Sequence, residues 1–366
     1  MIYFDAAATS LQKPPSVARA VAWALGACAS VGRGGYAAAE RAAQTVYSCR
    51  RELAAMFDCE PEQTVFTMNA THGLNCAIAA VVPEHGRALI SAFEHNAVTR
   101  PLYARGAQVE QFGVLFDEEA TLEGLRRGLA QRPDAVICTH VSNVFGFVLP
   151  IEPIAALCRE ANVPLVIDAS QSAGTLTLSL RRTGAAFIAF PGHKGLLGPQ
   201  GTGVLLCGRA APPLLFGGTG SLSERQEMPE FLPDRLEAGT HNVCGIAGLL
   251  EGVRYVRRVG TDRILAQERR LLLAAERGLR AQGFARVFCG ESRSGVLSFV
   301  PREIDCEEAA QRLADAGIAV RAGLHCAPTA HRTAGTLQTG TVRLSVSPFN
   351  TDAELRTFLA VCKNLF

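Results

Sequence analysis

Lys194 lies in 187-FIAFPGHKGLLGPQGTG-203, beside His193, after an apolar run that reads as a buried strand and before a glycine-rich turn. Asp168 and Gln171 stand three apart in 165-LVIDASQSAG-174, at the end of a second such run. Taken singly these residues carry little. An aspartate in that place is more often a helix N-cap, and a lysine in a glycine-rich turn is more often a surface residue. Together, an amine, a carboxylate and an amide at the ends of neighbouring strands are what a pyridoxal phosphate (PLP) site needs. The amine condenses with the cofactor aldehyde, and the carboxylate keeps the pyridine nitrogen protonated so that the ring accepts electrons.

The elements that must position these groups are legible in outline. Strand-like runs occur at 64-TVFTM-68, 87-RALISA-92, 135-AVICTHV-141, 163-VPLVIDA-169, 185-AAFIAF-190 and 202-TGVLLC-207, with helical patterns such as 151-IEPIAALCREA-161 between them. Strand and helix in alternation predict an α/β fold: a mainly parallel sheet of the seven-stranded type, covered on both faces. In such sheets ligands bind at the carboxyl ends of the strands, and Asp168, Asn143, His95 and Thr71 fall there. From about residue 250 the pattern changes. A long basic helical stretch over 253–282 leads to strands at 295–300, 318–323 and 341–347, a helix at 306–317 and a last helix opening on the capping box Thr351 and Glu354. This reads as a smaller α+β C-terminal domain. The expected division is a large cofactor-binding domain over 13–250 and a small domain made of 1–12 and 251–366.

Bulk properties narrow the class. The 366 residues carry a net charge of +2, which gives no electrostatic case for nucleic acid or an anionic membrane surface. No apolar run approaches the roughly 20 residues that span a bilayer. The first fifteen residues, MIYFDAAATSLQKPP, lack the basic n-region and apolar h-region of a signal peptide, so the default location is the cytoplasm. Of the 12 cysteines none forms C-x-x-C, which argues against a zinc ribbon or redox dithiol. His325, Cys326 and His331 lie close together, but no fourth ligand at zinc spacing accompanies them; no metal is expected.

In order, 2-IYFDAAAT-9, 32-GRGGY-36, 94-EHNAV-98, 139-THVSNVFG-146, 168-DASQSAG-174, 192-GHKGLLGPQGTG-203, 237-EAGTHN-242, 321-RAGLHCAP-328 and 341-TVRLSVSPFNT-351 resemble the class V aminotransferase-fold PLP enzymes. Within these the likeness is to the cysteine desulfurase and selenocysteine lyase branch, and it runs nearly end to end. The resemblance implies fold type I. It makes Lys194 the Schiff-base lysine and proton shuttle, Asp168 the partner of the pyridine nitrogen, and Gln171 the donor to the ring's phenolate oxygen. His95 becomes the histidine stacked on the ring, with a part in proton transfer, and Asn143 a contact of the phenolate oxygen or substrate carboxylate. Thr71, at a helix N-terminus suited to an anion, and His193 become phosphate contacts. Thr240 becomes a residue reaching the phosphate of a neighbouring subunit, which implies a homodimer with shared sites. Pro191 and Ala70 stand where relatives usually have serine and threonine in the phosphate site, and Ala6 where asparagine is usual. Proline offers neither a hydroxyl nor an N–H, so fewer side-chain donors are expected for the phosphate.

Cys326 resembles the nucleophile that takes sulfur from the bound substrate as a persulfide; the thiolate is the reactive form, and a loop position near basic groups helps it form. Arg343 resembles the clamp on the substrate carboxylate, which a guanidinium fork fits, with Arg321 close to the same loop. The expected activity is that of a cysteine desulfurase, L-cysteine to L-alanine, with a sulfur-acceptor protein as possible partner. The alternatives are a selenocysteine lyase, another PLP lyase, epimerase or aminotransferase on the same fold, and a non-catalytic sulfur-delivery scaffold.

Overall fold

The computed structural model describes residues 1–32 and 34–366; Arg33 of the 32–36 motif lies outside the described residues. Strands are numbered in chain order: β1 (Ile2–Tyr3), β2 (Thr64–Thr67), β3 (Arg87–Ser91), β4 (Gln108–Phe112), β5 (Ala135–Thr139), β6 (Leu165–Asp168), β7 (Phe187–Pro191), β8 (Gly203–Cys207), β9 (Ala285–Phe288), β10 (Val296–Pro301), β11 (Ile318–Ala319), β12 (Arg321–Gly323) and β13 (Thr341–Ser345). Seven of them form one sheet in the order β2-β8-β7-β6-β5-β3-β4. Its central pairings are parallel, and β8 alone runs against its neighbours.

Why this sheet is covered on both faces follows from residue alternation. Successive side chains of a strand point to opposite faces. In β5, Val136 and Cys138 enter one hydrophobic core, and Ala135 and Ile137 enter the other. A strand buried on both sides has no polar alternation, so it reads as a continuous apolar run.

The C-terminal part forms a second sheet, β12-β13-β10-β9, antiparallel throughout. The N-terminus packs with this part: β1 pairs with β11 in a separate two-stranded sheet, so the expected strand over 318–323 is divided between two sheets, and Phe4 is buried in the same core as Leu297, Phe299 and Phe358. The expected long helix over 253–282 is two helices, Val243–Val259 and Thr261–Gln282, broken at Gly260 with φ 92°. A left-handed backbone interrupts an α-helix whatever the apolar periodicity around it. The last helix carries the expected Thr351–Glu354 capping box. Among the described residues, no helix is long and apolar enough to cross a membrane.

Candidate active site

Asp168 and Thr139 are partners in register at the carboxyl ends of β6 and β5, and Pro191 ends β7. The loops after these ends bound a cleft of about 240 Å³. Close backbone packing brings the lysine to the acid. A Cβ on Gly174 would sit 2.3 Å from the Gly195 carbonyl oxygen, and one on Gly195 would sit 2.4 Å from that of Ala173. Only glycine at both places lets the 168–174 and 192–198 loops touch, and that contact sets Lys194 against Asp168 and Gln171.

Lys194, Asp168, Gln171 and His95 all line the cleft. Burial lowers the Lys194 ammonium to about 8; Asp168 opposes the shift, and Arg343 and Arg321 add to it. A sizeable fraction is therefore free amine near neutral pH, the form that condenses with an aldehyde. Asp168 is 3% exposed. Its Oδ1 accepts the Ser170 N–H at 2.9 Å, a local turn rather than a helix cap. Gln171 donates its Nε2 to the Ala7 carbonyl at 3.0 Å. His95 caps the helix Asn96–Ala104, its Nδ1 accepting the Ala97 N–H at 3.0 Å. Burial holds it neutral, at about 4, with Asp168 pulling upward and Lys194 and Arg321 downward.

Ala70, Thr71 and His193 also line the cleft. The helix Ala70–Val81 begins here, and its N-cap is Asn69, whose side chain accepts the His72 N–H at 2.9 Å. Thr71 is therefore inside the first turn, and its hydroxyl is not needed for capping. The backbone N–H groups of Ala70 and Thr71 have no protein partner among the described residues. His193 is fixed by Thr9, Nδ1 to Oγ1 at 3.0 Å.

Two arginines line the same cleft. Arg321 and Arg343 sit directly across from each other on β12 and β13, so both guanidinium groups share a face. Arg343 is 1% exposed; it donates to Asp5 Oδ1 at 2.6 Å and to the Asn143 carbonyl at 3.0 Å, and its Nε has no partner. Asn143 in turn donates to the His325 carbonyl at 2.8 Å. Cys326 is exposed and follows His325, which lines the cleft. His325 and His331 hydrogen-bond to each other and to Arg321 and Thr336. Thr240 lies away from this cleft, exposed beside a second pocket that includes Glu237 and His241.

Three participants were missed by sequence reasoning. Asp5 holds Arg343, Asn69 caps the anion-facing helix, and Glu94 is fully buried with its Oε1 accepting the Ser91 hydroxyl and the Thr139 N–H. Asn69 is a favoured capping residue before an apolar helix and was findable on that ground. Asp5 and Glu94 are recognisable only from their tertiary partners.

The donor set fits PLP. Unpartnered helix N–H groups beside a histidine suit a phosphate. A buried carboxylate with no ion-pair partner among the described residues suits a protonated pyridine nitrogen, and Lys194 supplies the amine.

The fold, an α/β sheet with its site at the strand ends beside a smaller antiparallel sheet, is that of fold type I. The family model for aminotransferase class-V matches residues 2–358, and the chain belongs to that family. It is 32% identical to a probable cysteine desulfurase of Methanothermobacter thermautotrophicus, over 97% of this chain and 92% of that protein. It is likewise 32% identical to probable cysteine desulfurase 2 of Mycobacterium leprae, over 98% and 90%. The apo cysteine desulfurase of Thermococcus onnurineus NA1 superposes with a TM-score of 0.92 at 30% identity, covering 100% of this chain and 94% of that one. The cysteine desulfurase CsdA (S-sulfonic acid) of Escherichia coli gives 0.87 at 26% identity, over 99% and 94%.

Proposed function

We propose that the chain is a PLP-dependent cysteine desulfurase that converts L-cysteine to L-alanine and leaves the sulfur on Cys326. One observation carries the reading. A lysine of lowered basicity and a buried aspartate share a cleft with two paired arginines, and an exposed cysteine stands one residue beyond the cleft wall. The similarity to proteins named cysteine desulfurase along almost the whole chain supports it.

When bound, PLP supplies an electron sink for charge developing at the substrate α-carbon. Asp168 keeps the pyridine nitrogen protonated, and Gln171 and Asn143 serve the phenolate side. Ala70 and Thr71 offer backbone N–H groups to the phosphate, with His193 beside them. With Pro191 and Ala70 lacking hydroxyls, backbone donors carry more of that task. Arg343 and Arg321 draw the substrate carboxylate to one end of the cleft. Lys194 accepts the α-proton, and His95, neutral with Nε2 as its free ring nitrogen, stands by for transfer. Cys326 then attacks the substrate sulfur. The Cβ–S bond breaks with its electron pair on carbon and an S–S bond forms; a proton added at Cβ, and the α-proton returned from Lys194, give alanine. The two sulfurs of the persulfide together give up the two electrons that the carbon gains, so no outside oxidant is needed.

The same reading assigns 13–250 to the cofactor-binding domain and 1–12 with 251–366 to the small domain. It places the protein in the cytoplasm as a homodimer, with Thr240 serving the neighbour's phosphate, and has an acceptor protein take the sulfur from Cys326. The test is alanine release from L-cysteine by the wild type and by Cys326→Ala. Loss of turnover in the variant with the PLP absorption kept is expected; undiminished alanine release would sink the persulfide route.

A further inference from the structure

The turn that carries Cys326 is built against its backbone preference. His325 and Cys326 have φ of 51° and 55°. Residues with a Cβ rarely occupy this region, and two in succession persist only where the surroundings over-determine them. Asn143 holds the His325 carbonyl at 2.8 Å. The Asn96 N–H, a free donor in the first turn of its helix, holds the Cys326 carbonyl at 2.7 Å. The Ala327 N–H closes the turn onto the Leu324 carbonyl at 2.9 Å. Just beyond, buried Thr329 donates its hydroxyl to the Glu94 carbonyl at 3.0 Å.

Glu94, His95 and Asn96 are consecutive. The segment that presents His95 to the cleft therefore also grips the cysteine turn on both sides. The Asn143 carbonyl meanwhile receives Arg343, so the arginine and the turn share an anchor. We infer, resting on the reading of Cys326 given above, that Thr329 is a positioning residue for Cys326. Its bond to Glu94 docks the short helix Pro328–Thr333 on the His95 segment and so keeps the thiol-bearing turn in its left-handed form, at a set distance from the cleft. Thr329 itself is not among the cleft-lining residues; it acts through the turn.

The test compares Thr329→Val, which keeps the shape and removes the hydroxyl, with Thr329→Ser, which keeps the hydroxyl. In Thr329→Val, amide exchange at Ala327 rises about tenfold and kcat for alanine release falls about tenfold, the factor set by one lost buried hydrogen bond. KM for cysteine and the PLP absorption stay unchanged, and Thr329→Ser behaves as wild type. Unchanged exchange and kcat in Thr329→Val would overturn the inference, as would a kcat loss accompanied by loss of the cofactor band. If the wild type itself released no alanine, the desulfurase reading would fall, and exchange at Ala327 would alone decide whether Thr329 holds the turn.

Discussion

At the scale of single residues, burial sets what each group can do. Lys194 is lowered from 10.5 to about 8 because its ammonium is taken from water. Between those values the folded chain binds fewer protons than the unfolded one, so this residue's contribution to stability rises with pH across that window. The rate at which apoprotein takes up PLP, followed by absorbance, should rise with a midpoint near pH 8; a midpoint near 10.5 would mean the amine is solvated. Glu94 shows the opposite sign. Burial raises it from 4.5 to about 8, with Asp168 adding to the shift and Ser91 and Thr139 opposing it. Its contribution is complete below about pH 4.5 and is lost as pH climbs toward 8. Urea titrations should show wild type losing stability relative to Glu94→Gln across that interval; parallel curves would contradict a buried neutral acid. Lys194 and Asp168 were legible because charged groups at the ends of apolar runs stand out. Glu94 was not, because its meaning comes from Ser91 and Thr139, brought to it by the fold.

At the scale of elements, the loop carrying Thr240 hangs from one buried ion pair. Arg50 meets Glu237 in a two-pronged contact, at 2.9 and 2.8 Å. Glu237 also accepts the Phe66 N–H and bonds His241 at 2.7 Å. Removing one partner strands the other charge in the interior, which costs about 3–5 kcal/mol. Glu237→Ala should therefore lower the unfolding free energy from urea titration by that amount at unchanged slope; a loss under about 1 kcal/mol, the worth of an exposed pair, would show that water reaches Arg50. Elements were legible where burial was two-sided. Gln108–Phe112 was not, because as the outer strand it exposes four of its five residues and has no apolar run. The break at Gly260 was hidden for a related reason: the apolar periodicity continues on either side of it, and only the backbone angle separates the helices.

At the scale of the whole molecule, Thr240 is exposed and lies apart from the cleft of its own chain. The preceding stretch exposes Leu214, Leu215 and Phe216, the last at 79%, an apolar group of the kind that a partner surface covers. Light scattering should give the mass of two chains. Phe216→Glu should shift that mass toward one chain and, on the proposed role of Thr240 at a neighbour's phosphate, speed PLP loss on dialysis; a monomeric variant that keeps its cofactor would contradict that role. The overall architecture was readable because nine ordered motifs constrain one another along the chain. The pairing of β1 with β11 was not readable, since two-residue strands carry no periodicity.

The central claim, that sulfur moves to Cys326, is tested most directly by peptide mass after mixing PLP-loaded enzyme with one equivalent of L-cysteine. The Cys326 peptide should gain the mass of one sulfur atom as alanine appears, and should gain nothing in Lys194→Ala. Alanine formed at a full equivalent with the Cys326 peptide never modified would contradict the account.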